Sequence, residues 1–375
     1  NLLSIEPAGV LAGGRARYGT WDFGWMAVNL ERPSQIYECV CHDEPSCERL
    51  EELWQKLPGG ALSTPFQTTG FIHVFQRHML KPSRNKFRIY EFRRRGTTVP
   101  LAYLPILIRK RGPVRIASLP DLGVSDQNAL VLSKAHEIPQ SHANELWRAF
   151  LNVIDDADLL DIYNLVPNVA GRPNPLFHLD QAEFENSQIM LDLSTEQSVS
   201  AWQAKSVFKE ARSKYRKLTA AGAEVFIPQS KEDRAWVCQS LLSQKDIRFS
   251  TLGIDNHLSD EAIANLYLDL AEDETQDAPA VLLALRKGEE IISASMVLRS
   301  ECTVNGVLSS IGDVRWRRMS PGIVLMSKVI DWAQSEGCRR LCFGTGNQQY
   351  KQRFGGDVVP TKKVIRAVSH AGNAY

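Results

Sequence analysis

Apolar residues follow two periods along this chain, and the points where one gives way to the other mark its elements. Near the carboxyl end, Ile323, Met326, Val329, Ile330 and Ala333 recur at helical spacing and predict a helix over Ile323 to Glu336. Ser320 suits its N-cap, Pro321 its first turn because proline has no amide proton to leave unpaired, and Gly337 its stop. The apolar run Val307 to Gly312 precedes it as a strand, opened by Asn305-Gly306, a pair that favours two-residue hairpin turns. Cys338 to Gly344 reads as a second short strand, and Thr345 to Gly356 as a second loop and short helix.

Upstream the same reading gives short helices over Glu48 to Leu57 and Thr69 to Leu80, the second with a stripe of Phe71, Val74, Phe75 and Met79. Three β-rich runs follow, Phe87 to Phe92, Val99 to Ile108 and Val114 to Leu119. Arg93-Arg-Arg-Gly96 and Arg109-Lys-Arg-Gly112 separate them and read as solvated hairpin tips. Ala143 to Ala157 reads as a helix, Leu159 to Leu165 as a strand and Pro167 to Pro175 as a loop. The strand beginning Gln188-Ile-Met-Leu leads into a second domain, which opens with a helix from Thr195 to Ala221. Next come a strand at Gly222 to Pro228, helices over Lys231 to Lys245 and Ser259 to Ala271 with a polar loop Arg248 to His257 between them, and strands at Val281 to Arg286 and Ile291 to Leu298. Both halves read helix, strands, helix, strand, which is compatible with tandem domains.

Composition bounds the class. A chain of 375 residues suits two domains, and 43% hydrophobic, 23% charged residues with a net charge of +1 give no overall pull toward nucleic acid or membranes. No apolar run approaches the roughly 18 to 20 residues of a membrane span. Asn1 to Gly14 lack a basic segment followed by an apolar block, and seven cysteines fit a reducing compartment better than a disulfide scaffold, so a cytoplasmic location is expected. Residues 1–44, with Tyr18, Trp21, Phe23 and Trp25, read as an N-terminal arm suited to a homodimer contact. Cys39, Cys41, His42 and Cys47 lack the paired CxxC spacing of zinc sites, and His73 and His78, five apart, do not share a helix face, so no metal is expected.

Two charged features carry candidate chemistry. Asp313-Val-Arg-Trp-Arg-Arg-Met-Ser-Pro-Gly322 is a basic loop feeding a helix start, whose unpaired amides and dipole favour an anion such as a pyrophosphate. Within Lys205 to Lys217, six cations face one acid, Glu210, and Lys205, Lys209, Arg212 and Arg216 fall on one helix face, a candidate contact for a polyanionic acceptor.

The order strand, basic loop, helix, strand, Tyr-bearing helix resembles the acyl-CoA-binding half of the GNAT N-acyltransferases. Arg317-x-x-Ser320-x-Gly322 stands where that superfamily has Arg/Gln-x-x-Gly-x-Gly/Ala, with Ser in place of the first Gly. Ser320-Pro-Gly322 followed by Phe343-Gly-Thr-Gly-Asn-Gln-Gln-Tyr-Lys-Gln-Arg-Phe-Gly-Gly356 is similar to the CelD-type branch linked to cellulose and exopolysaccharide biosynthesis, kin of the FemAB-type transferases. The likeness runs over roughly residues 62 to 357.

This resemblance implies a mixed α-β fold of two tandem GNAT-like domains, each a mostly antiparallel twisted sheet flanked by helices, over residues 45–190 and 191–375. It implies acyl-CoA, most simply acetyl-CoA, as co-substrate in the second. Arg317, Arg318 and the amides around Met319, Ser320, Gly322 and Ile323 would hold the pyrophosphate, and the strand edge at Ile311, Gly312 and Asp313 the pantetheine arm. Tyr350 would be the general acid and Lys351 would steady an oxyanion or an acceptor phosphate. Asp313 is a candidate base or a turn residue. Lys209, Arg212, Arg216 and His257 are candidates to contact the acceptor, an amine on a sugar, amino acid or glycan precursor. Cys342 and Asn347 stand where the branch often has Asp, which removes two candidate bases. Two further readings stay open: a FemAB-like transferase using aminoacyl-tRNA, and a non-catalytic scaffold in exopolysaccharide assembly.

Overall fold

Residues 33–81, 83–275, 279–346 and 348–374 are described by a computed structural model, so the aromatic stretch of the expected arm, and with it the homodimer contact, lies outside the described residues. The first half contains β1 (Tyr37–Asp43), α1 (Cys47–Lys56), β2 (Ala61–Leu62) and α2 (Thr69–Met79), then the strands β3 (Asn85–Arg94), β4 (Pro100–Arg111), β5 (Val114–Ser118) and β6 (Val131–Ser133). It closes with α3 (Ala143–Leu151), β7 (Leu159–Leu165), the small hairpin of β8 (Asn168–Val169) and β9 (Arg172–Pro173), and β10 (Glu183–Asp192). Pro100 to Ile108 are buried without a break, the mark of a strand covered on both faces.

The second half holds α4 (Glu196–Gln203), α5 (Ser206–Ala220), β11 (Glu224–Phe226), α6 (Lys231–Leu252) and α7 (Glu261–Glu272). These are followed by β12 (Ala280–Lys287), β13 (Glu290–Ser300), β14 (Thr303–Ile311), α8 (Pro321–Ser335), β15 (Arg340–Thr345), α9 (Gln349–Gln352), β16 (Asp357–Ala367) and α10 (His370–Asn373). One twisted, mostly antiparallel sheet runs through both halves in the order β1-β3-β4-β5-β7-β16-β10-β15-β14-β13-β12-β11. Two joints in it are parallel, β5 with β7 and β14 with β15, and each is bridged by a helix, α3 and α8. Each half is therefore a β-β-β-α-β unit, and the two units exchange strands at the centre. β10, leaving the first half, pairs with β15, while β16, leaving the second, pairs with β7.

Helices cover both faces of the second unit. α5 and α8 pack on one, where Phe208, Val324, Val329 and Ile330 join Leu283, Leu285 and Val297, while α6 and α7 pack on the other with Leu282, Ala284, Met296 and Leu308. Burying each large aliphatic of α8 contributes about 1.5–3 kcal/mol. Ser230 caps α6 through Asp233 N, and Gly253, at φ 63°, ends it.

Four expectations need correction. The helix expected over Thr195 to Ala221 is broken at Ala204-Lys205 into α4 and α5. Trp202 and Phe208, six apart, would face different sides of one helix; the break lets both rings enter the core, 4.8 Å apart. Asn305-Gly306 is not a turn but lies inside β14, and Glu301, at φ 47°, makes the turn instead. A register shift at Met296/Val297 leaves Val307 bulged beside Gly306, so the Asn-Gly pair marks a bulge. The loop expected from Arg248 is largely helix, because α6 runs on to Leu252. Tyr37 to Asp43, expected in the arm, form β1, the edge strand of the sheet beside β3.

Candidate active site

The site begins where β14 and β15 part. They pair from Thr303 to Asn305 against Arg340 to Cys342. Beyond this β14 stays with β13, and β15 stays with β10, so a wedge opens between them from Gly306 and Gly344 onward. β14 ends at Ile311, and the amide of the next residue, Gly312, donates to Ile292 O at 2.9 Å. Asp313 then caps a 3₁₀ turn over Val314–Met319 through its Oδ1, which accepts Arg315 N at 2.8 Å. Trp316 anchors that turn, its Nε1 donating to Glu290 at 2.9 Å, and Arg315 pairs with the same carboxylate. Ser320 takes the left-handed conformation, φ 47° and ψ 53°, and its carbonyl accepts Ile323 N and Val324 N at 3.0 and 3.1 Å. Its hydroxyl makes no cap bond, which differs from the expected N-cap.

The start of α8 is open. Ser320, Gly322 and Ile323 are half-buried and Arg317 and Arg318 exposed, with Pro321 and Val324 buried beneath. A Cβ on Gly322 would stand 3.1 Å from Ile311 Cδ1, so glycine there keeps a narrow gap between strand end and helix start. Ile311, Gly312, Arg317, Arg318, Met319, Ser320, Gly322 and Ile323 thus gather at one mouth. Lys214 of α5 donates to Arg318 O at 2.6 Å and ties the basic helix to that mouth. Lys209, Arg212 and Arg216 are exposed, on a different side of α5 from Lys214. His257, also exposed, belongs to the α6–α7 face, its ring 6.2 Å from that of Phe249, so the four expected acceptor contacts are split between opposite faces of the sheet. Burial, reinforced by the charge of Lys245, lowers the pKa of His257.

At the narrow end of the wedge the chain reverses into α9. Lys351 is 5% exposed, and its ammonium donates to the carbonyls of Thr345, Gly344 and Gly346 at 2.6, 3.3 and 3.4 Å. Three donors meet three acceptors, leaving none for an oxyanion. The geometry therefore gives Lys351 the task of holding the 344–346 loop, and with it Tyr350, rather than touching a reacting atom. Burial depresses its pKa, with Asp126 acting in the opposite direction. Tyr350 is half-buried with its pKa raised by burial. Cys342 is fully buried, accepts no solvent, and has its thiol pushed up to about 12; its Sγ meets Gln188 Oε1 at 3.2 Å.

One group at this point escaped the sequence reading. Asp126, from the first half, places Oδ2 where a Cβ on Gly344 would lie 3.1 Å from it and 2.8 Å from Gly306 O, and its Oδ1 accepts from Thr345 Oγ1 at 3.2 Å. Asp121 supports the same loop, accepting from Gly123 N and Asn128 Nδ2 at 2.8 Å each. The sequence cannot show where this loop docks. Two cavities of about 380 and 450 Å³, one beside His73 and Asp269 and the other beside His42 and Glu91, include no residue of β14, α8 or β15. Among the described residues no group of three or more His, Cys, Asp or Glu could hold a metal ion.

Residues 205–352 match the family model described as acetyltransferase (GNAT) domain. The second half carries a GNAT-type domain. The match begins at the basic helix and ends at α9, so it encloses the wedge, the basic loop and α8. Among solved structures, the crystal structure of FemX is similar with a TM-score of 0.57 and 11% identity, over 88% of this chain and 97% of that one. A conserved protein of unknown function from Bacteroides thetaiotaomicron VPI-5482 is similar with a TM-score of 0.52 and 7% identity, over 88% of this chain and all of that one (100%). At such identities the likeness is one of fold, and it extends over both halves. No curated protein matches the chain.

Proposed function

We propose that the protein is an N-acyltransferase that moves an acyl group from acyl-CoA, most simply acetyl-CoA, to an amine on a sugar, amino acid or glycan precursor. In this reading 45–190 and 191–375 are two GNAT-like domains, of the CelD-type branch, and the second binds the thioester. The single observation that supports it most is the open α8 start at the wide end of the β14–β15 wedge, flanked by exposed Arg317 and Arg318. The residues there fit a diphosphate through two guanidiniums, the positive end of the α8 dipole, and a glycine whose missing Cβ keeps the gap to Ile311; the amides of Ser320 and Ile323, expected to share in this, instead donate to Arg317 O and Ser320 O. Ile311 and Gly312 would hold the pantetheine arm along the strand edge. Bound acyl-CoA supplies an activated carbonyl; the chain's own residues then orient the amine, exclude water and supply a proton through Tyr350. Acetyl-CoA is expected to raise the melting temperature, and a thiol-release screen of amines to find an acceptor. No stabilisation at millimolar CoA would defeat the proposal.

The exposed cations of α5 favour a second reading, transfer from an aminoacyl-tRNA. It requires tRNA binding that weakens steeply with salt, and binding flat in salt eliminates it. The scaffold reading rests on the carboxylates missing at 342 and 347, and Asp126 supplies one at the wedge from another part of the chain.

A further inference from the structure

The acyl-transfer reading leaves the acceptor's proton without a destination, since Cys342 replaces one expected carboxylate and Asp313 caps a turn. We propose that Asp126, carried by the first half into the narrow end of the β14–β15 wedge, is the carboxylate that binds the acceptor ammonium and takes its proton. This rests on the acyltransferase reading above.

Three observations converge on it. Asp126 Oδ2 lies against Gly344, just past the last paired residues of the two parting strands, where Gly344, at φ 78°, could carry no side chain without meeting both Gly306 O and that carboxylate. The loop that carries it is fixed at both ends: Asn128 takes Ser125 Oγ at 3.1 Å and Gln67 Nε2 at 3.2 Å, and Gln188 donates to the Asp126 carbonyl while accepting Gln127 Nε2 at 2.9 Å. Asn305, in the same strand pair, is fully buried, yet neither Oδ1 nor Nδ2 has a protein partner, and a buried amide of that kind is completed by water or a ligand. Asp126 keeps an open side although protein atoms crowd it. The wedge is therefore a composite site, incomplete without the first half.

The charged and titratable neighbours are Asp121 on the same loop, Lys351 on α9, Cys342 on β15 and Tyr267 on α7. Burial raises the Asp126 carboxyl above its ordinary value, partly offset by the Thr345 hydroxyl and Lys351, which makes it a stronger base than a surface aspartate. In the reaction a C–N bond forms between the amine and the acyl carbon, and the C–S bond of the thioester breaks. One ammonium proton passes to Asp126, and the second lost from nitrogen ends on the leaving sulfur.

The test compares wild-type protein with Asp126→Asn, which keeps the bond to Thr345. Calorimetry with acetyl-CoA should give equal affinity for both. Thiol release with methylamine at high concentration, the smallest acceptor, should fall about 100-fold in the variant, and its rise with pH should shift to that of the free amine. A readout without substrate is the melting temperature against pH. A carboxyl whose folded pKa is raised penalises the fold once ionised, so the variant should melt above wild type at neutral pH and converge with it below pH about 4. Equal CoA binding with an unchanged rate and pH profile in Asp126→Asn overturns this proposal alone, as does wild-type protein that binds acetyl-CoA but releases no thiol with methylamine. Failure of wild-type protein to bind acetyl-CoA overturns the acyltransferase reading and this proposal with it, and loss of binding in the variant alone overturns the assignment of Asp126 to the acceptor.

Discussion

Replacing Lys351 by Met separates the positioning task from a catalytic one. The substitution keeps the volume of the buried stem and removes an ammonium that is 5% exposed and meets the carbonyls of Thr345, Gly344 and Gly346. The bond to Thr345 at 2.6 Å is short, and a hydrogen bond to a charged group is worth about 1.5–3 kcal/mol; the other two, at 3.3 and 3.4 Å, add less. Against this, the fold no longer holds a desolvated charge, which offsets part of the loss. A net cost of about 2–3 kcal/mol is expected. An unfolding entropy of about 2.1 cal/mol/K per residue over this chain turns that into a fall of roughly 3 °C in Tm if unfolding is cooperative. Thermal melts followed by circular dichroism measure it, alongside thiol release on the same samples. Partial activity with the lower Tm is the expected result, because Tyr350 loses its support rather than the reaction its oxyanion donor. A variant that melts within about half a degree of wild type yet loses all turnover would refute the reasoning.

Two other consequences follow from burial. Burial and then Arg248 lower Lys245 to about 8, so its charged form penalises the fold below pH 8, and stability should rise between pH 8 and the unfolded lysine value; Lys245→Met should remove that rise in melting temperature, and a rise that persists would assign it elsewhere. Cys342, fully buried and pushed up to about 12, should resist iodoacetamide at pH 8 while exposed Cys47 is alkylated, as read by peptide mass spectrometry; rapid loss of the Cys342 thiol in native protein would contradict this.

The parts of this protein that could be read in its sequence are those whose signals are local. Pro321 and Gly337 punctuate α8, and the stripe from Ile323 to Ala333 faces the core because helical period and burial coincide there. β7, from Leu159 to Leu165, has the bounds that its apolar run gives. What escaped depends on residues distant in sequence. β16 was not anticipated, since Pro360 and Lys362-Lys363 interrupt its pattern, and its hydrogen bonds go to β7 and β10, far upstream. Trp202 and Phe208 look like one helix until the core they share is known. Asp126 meets Thr345 across 219 residues, a separation no spacing rule spans. Lys351 was found by its motif, but its task was not, because backbone carbonyls leave no trace in a sequence.

Acyl transfer at this site depends on the start of α8 holding a diphosphate, and calorimetric titration of CoA into wild-type and Gly322→Glu protein tests that directly. A glutamate there would bring a Cβ to 3.1 Å from Ile311 Cδ1 and a negative charge to the helix N-terminus. Saturable binding to wild type, lost in a Gly322→Glu protein whose circular dichroism is unchanged, is the predicted result. Equal binding to both proteins, or none to wild type at millimolar CoA, would contradict it.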